Sequence, residues 1–258
     1  MPQPDRCPGW SEVLPRAKQL LVTVRDAAPK QPLEISIAHF YILGMYWRTV
    51  RLYEAVLLLL EAQLPEEAAI IARSLFEDSL RLRQLACESD TRDACVVGWA
   101  EKSISEKVGL VKEAVSLGLE PDAQRALVAL DAERSKLQGY ARRHGVARRR
   151  PFLSVRSAAL SFGRKDDYWT YCWSHEAVHG SDACWIFARR KVTPDTVGLF
   201  GKTADPEVLI RLAAFAAVSV ADATESASSI FSWKPVAAIS DLSGEIERAA
   251  QAYAGQRP

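Results

Sequence analysis

An all-α fold is predicted for this 258-residue chain: a multi-helix, up-and-down bundle of about eight helices. Apolar residues recur at helical spacing over long stretches, and helix-start signals separate these stretches. No run of alternating β-branched residues predicts a substantial sheet. Because 48% of the residues are hydrophobic, one large core can form. We therefore expect a single helical domain over 1–258, with its core at about 34–232 and peripheral N- and C-terminal helices.

The helix-start signals set the predicted order of elements. Pro65, Pro121 and Pro206 each precede acidic residues. Proline suits a first helical turn because no donor is needed there, and acids suit the positive helix end. The predicted helices are 11–28, 34–62, 65–88, 91–117, 122–143, 166–190, 206–232 and 240–253.

The most apolar of these helices, at 34–62, 65–88, 166–190 and 206–232, are expected at the centre of the bundle. The Gly- and Pro-containing segment 192–204 predicts a loop or a small hairpin.

Composition narrows the function classes. The formal net charge is +1, so only a local patch could attract nucleic acid or a membrane surface. The N-terminal residues lack an apolar signal-peptide core, and the most apolar run, 55–60, is too short to span a bilayer. Five cysteines without a CxxC pair favour buried thiols over a disulfide framework. These features predict a soluble cytoplasmic protein with no membrane partner.

A zinc-hydrolase motif, HExxH, occurs at residues 175–179. His175 and His179 lie one helical turn apart and could bind one metal ion, with Glu176 as general base. A third ligand is less evident, because no histidine follows His179. In addition, no sheet is predicted that could hold a peptide substrate, as in a zinc peptidase. The alternative is that these histidines form hydrogen bonds within a polar patch of the helical core.

A polar stripe runs along the predicted 65–88 helix. Arg73 and Glu77 are four residues apart, which predicts an ion pair, and Gln84 continues the stripe. An ordinary surface pair is one interpretation. The other is a cleft facing the HExxH helix, where Glu77 acts as metal ligand or base and Arg73 binds an anion.

One strongly basic stretch lies between the predicted fifth and sixth helices. It contains Arg142, Arg143, Arg148, Arg149 and Arg150. Clustered arginines are typical of phosphate-binding loops, so these five are candidate nucleic-acid-binding residues. The alternative is a solvated connector whose charge is balanced by acids elsewhere.

Two sequence segments, ARSLFEDSLRL (72–82) and YWTYCWSHEAVHGS (168–181), resemble a family of bacterial all-helical proteins catalogued as a domain of unknown function. The resemblance covers about 35–190 and rests on an R-S-L-x-E helix and a Tyr…Ser…Val-His-Gly helix. The matching residues are Arg73, Glu77, Tyr168, Ser174, His179 and Gly180. The resemblance implies that Arg73, Glu77, Tyr168, Ser174 and His179 form the catalytic site.

This family also looks distantly like the HEPN group of helical bundles, many of which are RNases in toxin and defence systems. Those RNases use an arginine to stabilise phosphate and a nearby histidine for acid–base chemistry. No histidine here has an arginine four to six residues before it, so Arg73 would have to meet His179 from another helix.

Three function classes follow. The favoured one is a HEPN-like protein that binds or cleaves nucleic acid, RNA or DNA, without a cofactor. The second is a metal-dependent enzyme in which zinc or another divalent metal is held by His175, His179, Glu77 and Glu176. The third is a non-enzymatic interaction module, whose apolar helices form a dimer interface. In each class we expect a homo-oligomer.

Overall fold

The computed structural model of the protein describes residues 8–28, 36–118, 122–178, 206–234 and 237–254, and for 8, 122, 173–178, 253 and 254 it describes the backbone alone. Within those ranges the chain forms nine α-helices and no strand, which confirms the all-α prediction. They are α1 Pro8–Ala27, α2 Ile37–Glu61, α3 Pro65–Cys87, α4 Arg92–Ser116, α5 Asp122–Arg143, α6 Val155–Ser161, α7 Lys165–Val178, α8 Pro206–Phe231 and α9 Ala237–Ala254.

The predicted helices are found at nearly their predicted positions, and α6 is an addition. With only seven residues, α6 is too short to show helical periodicity. Its local signal is Ser154, whose side chain accepts a hydrogen bond from the backbone N–H of Ser157 at 3.1 Å. The second half of the predicted 166–190 helix and the predicted 192–204 loop or hairpin lie outside the described residues.

Helices α2, α3 and α8 supply much of the core. On α8, Ala213, Ala216 and Ala217 are fully buried, and their small side chains allow neighbouring helices to approach closely. On α3, Phe76 packs against Phe215 of α8 with ring centroids 5.1 Å apart. The expected central position of these three helices agrees with this packing.

Buried tyrosines of α2 connect it to α1. The Tyr46 hydroxyl donates to the Val24 carbonyl at 2.9 Å, and the Tyr53 hydroxyl donates to the Ala17 carbonyl at 3.0 Å. These bonds satisfy polar groups that would otherwise be buried without partners. Helix α1 therefore contributes to the same core as α2.

A buried arginine positions the start of α7. Arg164 Nε donates to Asp167, Arg164 Nη1 donates to Asp222 of α8, and the guanidinium lies 5.3 Å from the Phe76 ring centroid. Arg83 of α3 also donates to Asp222, at 3.2 Å. One carboxylate thus joins α3, α7 and α8 through charge-assisted hydrogen bonds. In the described part of the chain, no helix has the length and apolar character needed to cross a membrane.

Candidate functional site

Glu77 is the centre of a polar cluster between α3 and α7. Its Oε1 accepts a hydrogen bond from the Tyr171 hydroxyl at 3.0 Å and lies 3.4 Å from Arg73 Nε. Its Oε2 lies 3.4 Å from Arg81 Nη2. The Arg73 guanidinium also covers the Tyr171 ring at 4.8 Å from the centroid. The predicted Arg73–Glu77 ion pair is therefore present and is part of a larger cluster that includes Tyr171.

Burial shapes the electrostatics of this cluster. It raises the pKa of the Tyr171 hydroxyl, and the neighbouring Glu77 carboxylate raises this pKa further, so the hydroxyl stays protonated and donates a hydrogen bond to Glu77. Next to Glu77, Asp78 is fully buried and accepts from Arg48 at 2.6 Å and Arg81 at 2.8 Å. Arg81 therefore bridges the two carboxylates.

Of the candidate residues on α7, Tyr168 has a described side chain. Its ring stacks on Tyr171 with centroids 5.7 Å apart, so Tyr168 reaches the cluster through Tyr171. Ser174, His175 and Glu176 lie near the end of α7 in the part described by its backbone alone, and His179 lies outside the described residues. The expected meeting of His179 with Arg73 and Glu77 stays a prediction.

The alternative metal site depends on the same segment. Among the residues whose side chains are described, no group of three or more His, Cys, Asp or Glu side chains could hold a metal ion. Glu77, the described member of the predicted ligand set, already has three donors around its carboxylate. A metal at Glu77 would share the carboxylate with these donors. Whether His175, Glu176 and His179 bind metal stays a prediction.

The basic loop, residues 142–150, begins in the last turn of α5 with Arg142 and Arg143 and contains two kinds of arginine. Arg149 donates from Nε and Nη2 to the two oxygens of Glu101, both at 2.8 Å, in a bidentate pair. Arg150 Nη1 lies 3.0 Å from the Thr91 hydroxyl and 3.3 Å from Glu88. These two arginines attach the loop to the α4 side of the bundle.

The other three arginines of the basic loop, Arg142, Arg143 and Arg148, are exposed. None has an acidic partner within ion-pair distance in the part of the chain that the structure covers. Acidic partners therefore neutralise the charges of Arg149 and Arg150, whereas the other three positive charges of the loop are exposed to solvent.

A groove of about 470 Å³, here named the α3–α4 groove, lies between α3, α4, α6 and the chain that follows the basic loop. Gly98 forms part of its wall, and a side chain at Gly98 would place Cβ 3.1 Å from the Arg150 carbonyl oxygen. The residue must be small for the loop to dock on α4. The polar and aromatic lining includes Glu77, Arg81, Gln84, Trp99, Lys102, Arg149, Arg150 and Phe152.

Sequence reasoning misses Tyr171 and Trp99, whereas Gln84 is on the predicted polar stripe. Tyr171 falls within about 40° of His175 on a helical projection, so its position on the candidate face could have identified it. Trp99 and Gln84 belong to different helices, and only the folded chain brings them beside the arginines. The basic loop therefore has an aromatic neighbour that its own sequence does not indicate.

Comparison with known proteins places the chain in a family. A search of the curated proteins and a search of the solved structures found no significant match. The model of a family of unknown function, DUF5677, matches residues 39–187. This range contains the Arg73–Glu77 cluster, the basic loop and the HExxH segment, and it agrees with the resemblance expected over about 35–190. Since the match covers more than half of the sequence, the chain belongs to this family of unknown function.

Proposed function

We propose that this protein binds nucleic acid through the basic loop. The observation that carries the proposal is the division of the loop arginines: Arg149 and Arg150 are used internally, while three others are exposed without acidic partners in the described chain. Arginines in such a patch neutralise phosphates and release counterions, which is the main source of nucleic-acid affinity. Because the net charge of the protein is only +1, its overall field attracts a polyanion weakly, and the affinity depends on this local patch.

The attachment of the loop supports the proposal. Arg149 is held by a bidentate pair, and the Arg150 N–H donates to the Ala94 carbonyl at 3.3 Å. A loop fixed in this way loses little conformational freedom when a polyanion binds, so less of the binding energy is spent on ordering.

Cleavage of the bound strand is a further part of the proposal. Arg73 contacts Glu77 and Tyr171, yet 20% of its side-chain surface remains exposed to solvent, so a phosphate could approach the guanidinium. The distant HEPN similarity suggests His179 as the acid–base group.

Affinity measured as a function of salt tests the binding proposal. A fluorescent 20-nucleotide RNA strand is titrated with the wild-type protein and with a triple Arg→Gln variant at 142, 143 and 148. Each phosphate contact contributes roughly 0.7 to the slope of log affinity against log salt on a single strand, so the triple variant should lose about 2 from that slope. Its affinity at low salt should fall about a hundredfold, at roughly tenfold or less per charge.

The matched control removes three other exposed cations: Arg51→Gln, Lys107→Gln and Lys112→Gln. It should bind like the wild type, because these residues lie outside the basic loop. The proposal fails if the wild type does not bind RNA or DNA at low salt, or if the two triple variants bind equally. Incubation of the same RNA with wild type and with Arg73→Ala tests cleavage, which chelation by EDTA should leave unchanged.

A further inference from the structure

Gln84 has an incomplete set of hydrogen bonds in the wall of the α3–α4 groove. Its side-chain oxygen accepts from the Leu153 N–H at 3.0 Å, which fixes the amide against the chain that follows the basic loop. Its Nε2 is buried without a hydrogen-bond partner in the described structure, and the residue is only 1% exposed. An unpaired buried donor is unfavourable, so a ligand acceptor here would recover a lost interaction.

The rest of the groove defines what such a ligand looks like. Trp99 is held by an edge-to-face contact with Tyr41, with centroids 6.1 Å apart, and Phe152 contributes a second ring. Aromatic walls of this kind stack planar rings. Lys102 stands on the lining with its side chain 78% exposed, and its Nζ lies 3.8 Å from Glu106, an exposed and weak ion pair with which an anion can compete. The lining therefore combines an amide donor, aromatic surface and positive charge.

The groove also continues towards the basic loop. Arg149 lines both the α3–α4 groove and a neighbouring hollow that contains Arg142. A strand whose phosphates follow the exposed arginines would thus pass the opening of the groove. The volume of about 470 Å³ is within the usual range of small-molecule sites, roughly 300–1,000 Å³, and is too small for a base pair with its backbone.

We infer that the α3–α4 groove receives one unpaired base of a single-stranded nucleic acid. A carbonyl oxygen of the base accepts from Gln84 Nε2, the ring packs on Trp99, and a flanking phosphate lies at Lys102. Guanine, cytosine and uracil carry such a carbonyl, and adenine does not. This inference rests on the proposed function, because the basic loop supplies most of the affinity for the strand.

Comparison of single-stranded with double-stranded RNA of equal length separates base binding from phosphate binding. The arginines alone favour the duplex, which has the higher charge density. A base in the groove reverses this order, and the wild type should bind the single strand about tenfold more tightly. Gln84→Met and Lys102→Gln should each reduce that preference at least threefold, whereas Lys107→Gln on the same helix should preserve it.

Photo-crosslinking provides a readout that does not depend on a variant. Wild-type protein is irradiated with RNA carrying one 4-thiouridine, and the crosslinked peptide is identified by mass spectrometry. Crosslinks within 98–102 or 151–155 support the inference. Crosslinks confined to other segments, or equal binding of single strand and duplex, overturn the inference. The proposed function still stands in that case if the triple Arg→Gln variant at 142, 143 and 148 binds more weakly than the wild type. Absence of binding by both RNAs overturns this inference, and absence of binding by DNA as well overturns the proposed function too.

Discussion

Replacement of Tyr171 by Phe tests whether Glu77 ties α7 to α3. The substitution removes only the hydroxyl, which donates to Glu77 Oε1 at 3.0 Å, and keeps the ring that packs on Phe76 and under Arg73. Its effect on the free energy of unfolding therefore measures the interactions of this hydroxyl, of which the hydrogen bond to the Glu77 carboxylate is the main one.

The magnitude follows from the surroundings of that bond. A hydrogen bond to a charged group contributes about 1.5–3 kcal/mol when it is well buried. The Glu77 side chain is 24% exposed, so water can replace part of the interaction, and Arg73 and Arg81 still neutralise the carboxylate. We expect a loss of about 1–1.5 kcal/mol. For a chain of this length the melting temperature should fall by roughly 2–6 °C.

Thermal and urea unfolding followed by circular dichroism measure this loss. Tyr168→Phe is the matched control: the same hydroxyl is removed three residues earlier on α7, and the cost should be below about 0.5 kcal/mol. Combining Tyr171→Phe with Glu77→Gln completes a double-mutant cycle, which should give a coupling energy of about 1 kcal/mol. A Tyr171→Phe protein as stable as Tyr168→Phe, or a coupling energy near zero, would refute the reasoning.

Two further variants test the loop attachment and the buried acid. Glu101→Gln weakens the ion pair with Arg149 by up to about 1 kcal/mol. Trypsin should therefore cut the basic loop up to about fivefold faster than in the control Glu113→Gln, which changes an exposed glutamate. Equal cleavage rates would contradict the attachment of the loop through Arg149. Burial raises the pKa of Asp78 in the folded protein, despite its two arginine partners. Folding therefore favours the protonated carboxyl, and the stability that this form contributes is lost as pH rises from the unfolded-state pKa of about 3.9 through the raised pKa. Relative to wild type, Asp78→Asn should gain stability between pH 4 and 7 in melting experiments, whereas Asp90→Asn should not; a relative loss would contradict it.

Helix positions could be predicted because their causes are local. Periodic apolar residues and Pro–acidic starts set α3, α5 and α8 to within a residue or two of their observed ends. Helix α6 could not be predicted in the same way, because one and a half to two turns give no measurable period and its capping serine is common in loops.

The candidate site was predictable only where spacing along one helix decides contact. The Arg73–Glu77 pair follows from the (i, i+4) rule. By contrast, the partner of Arg149 lies 48 residues away on α4, so the sequence does not distinguish the attached arginines from the exposed ones. The same holds for Gln84, whose amide meets Leu153 across 69 residues.

The fixed ends of the basic loop determine how the loop can vary in length. At one end, the Val146 N–H donates to the Ala141 carbonyl at 2.9 Å; at the other, Arg150 lies against Gly98. Residues inserted between these anchors can only extend outward into solvent. Insertions would therefore move Arg148 further from the bundle without altering the α3–α4 groove, so the length of the loop and the shape of the groove can change independently.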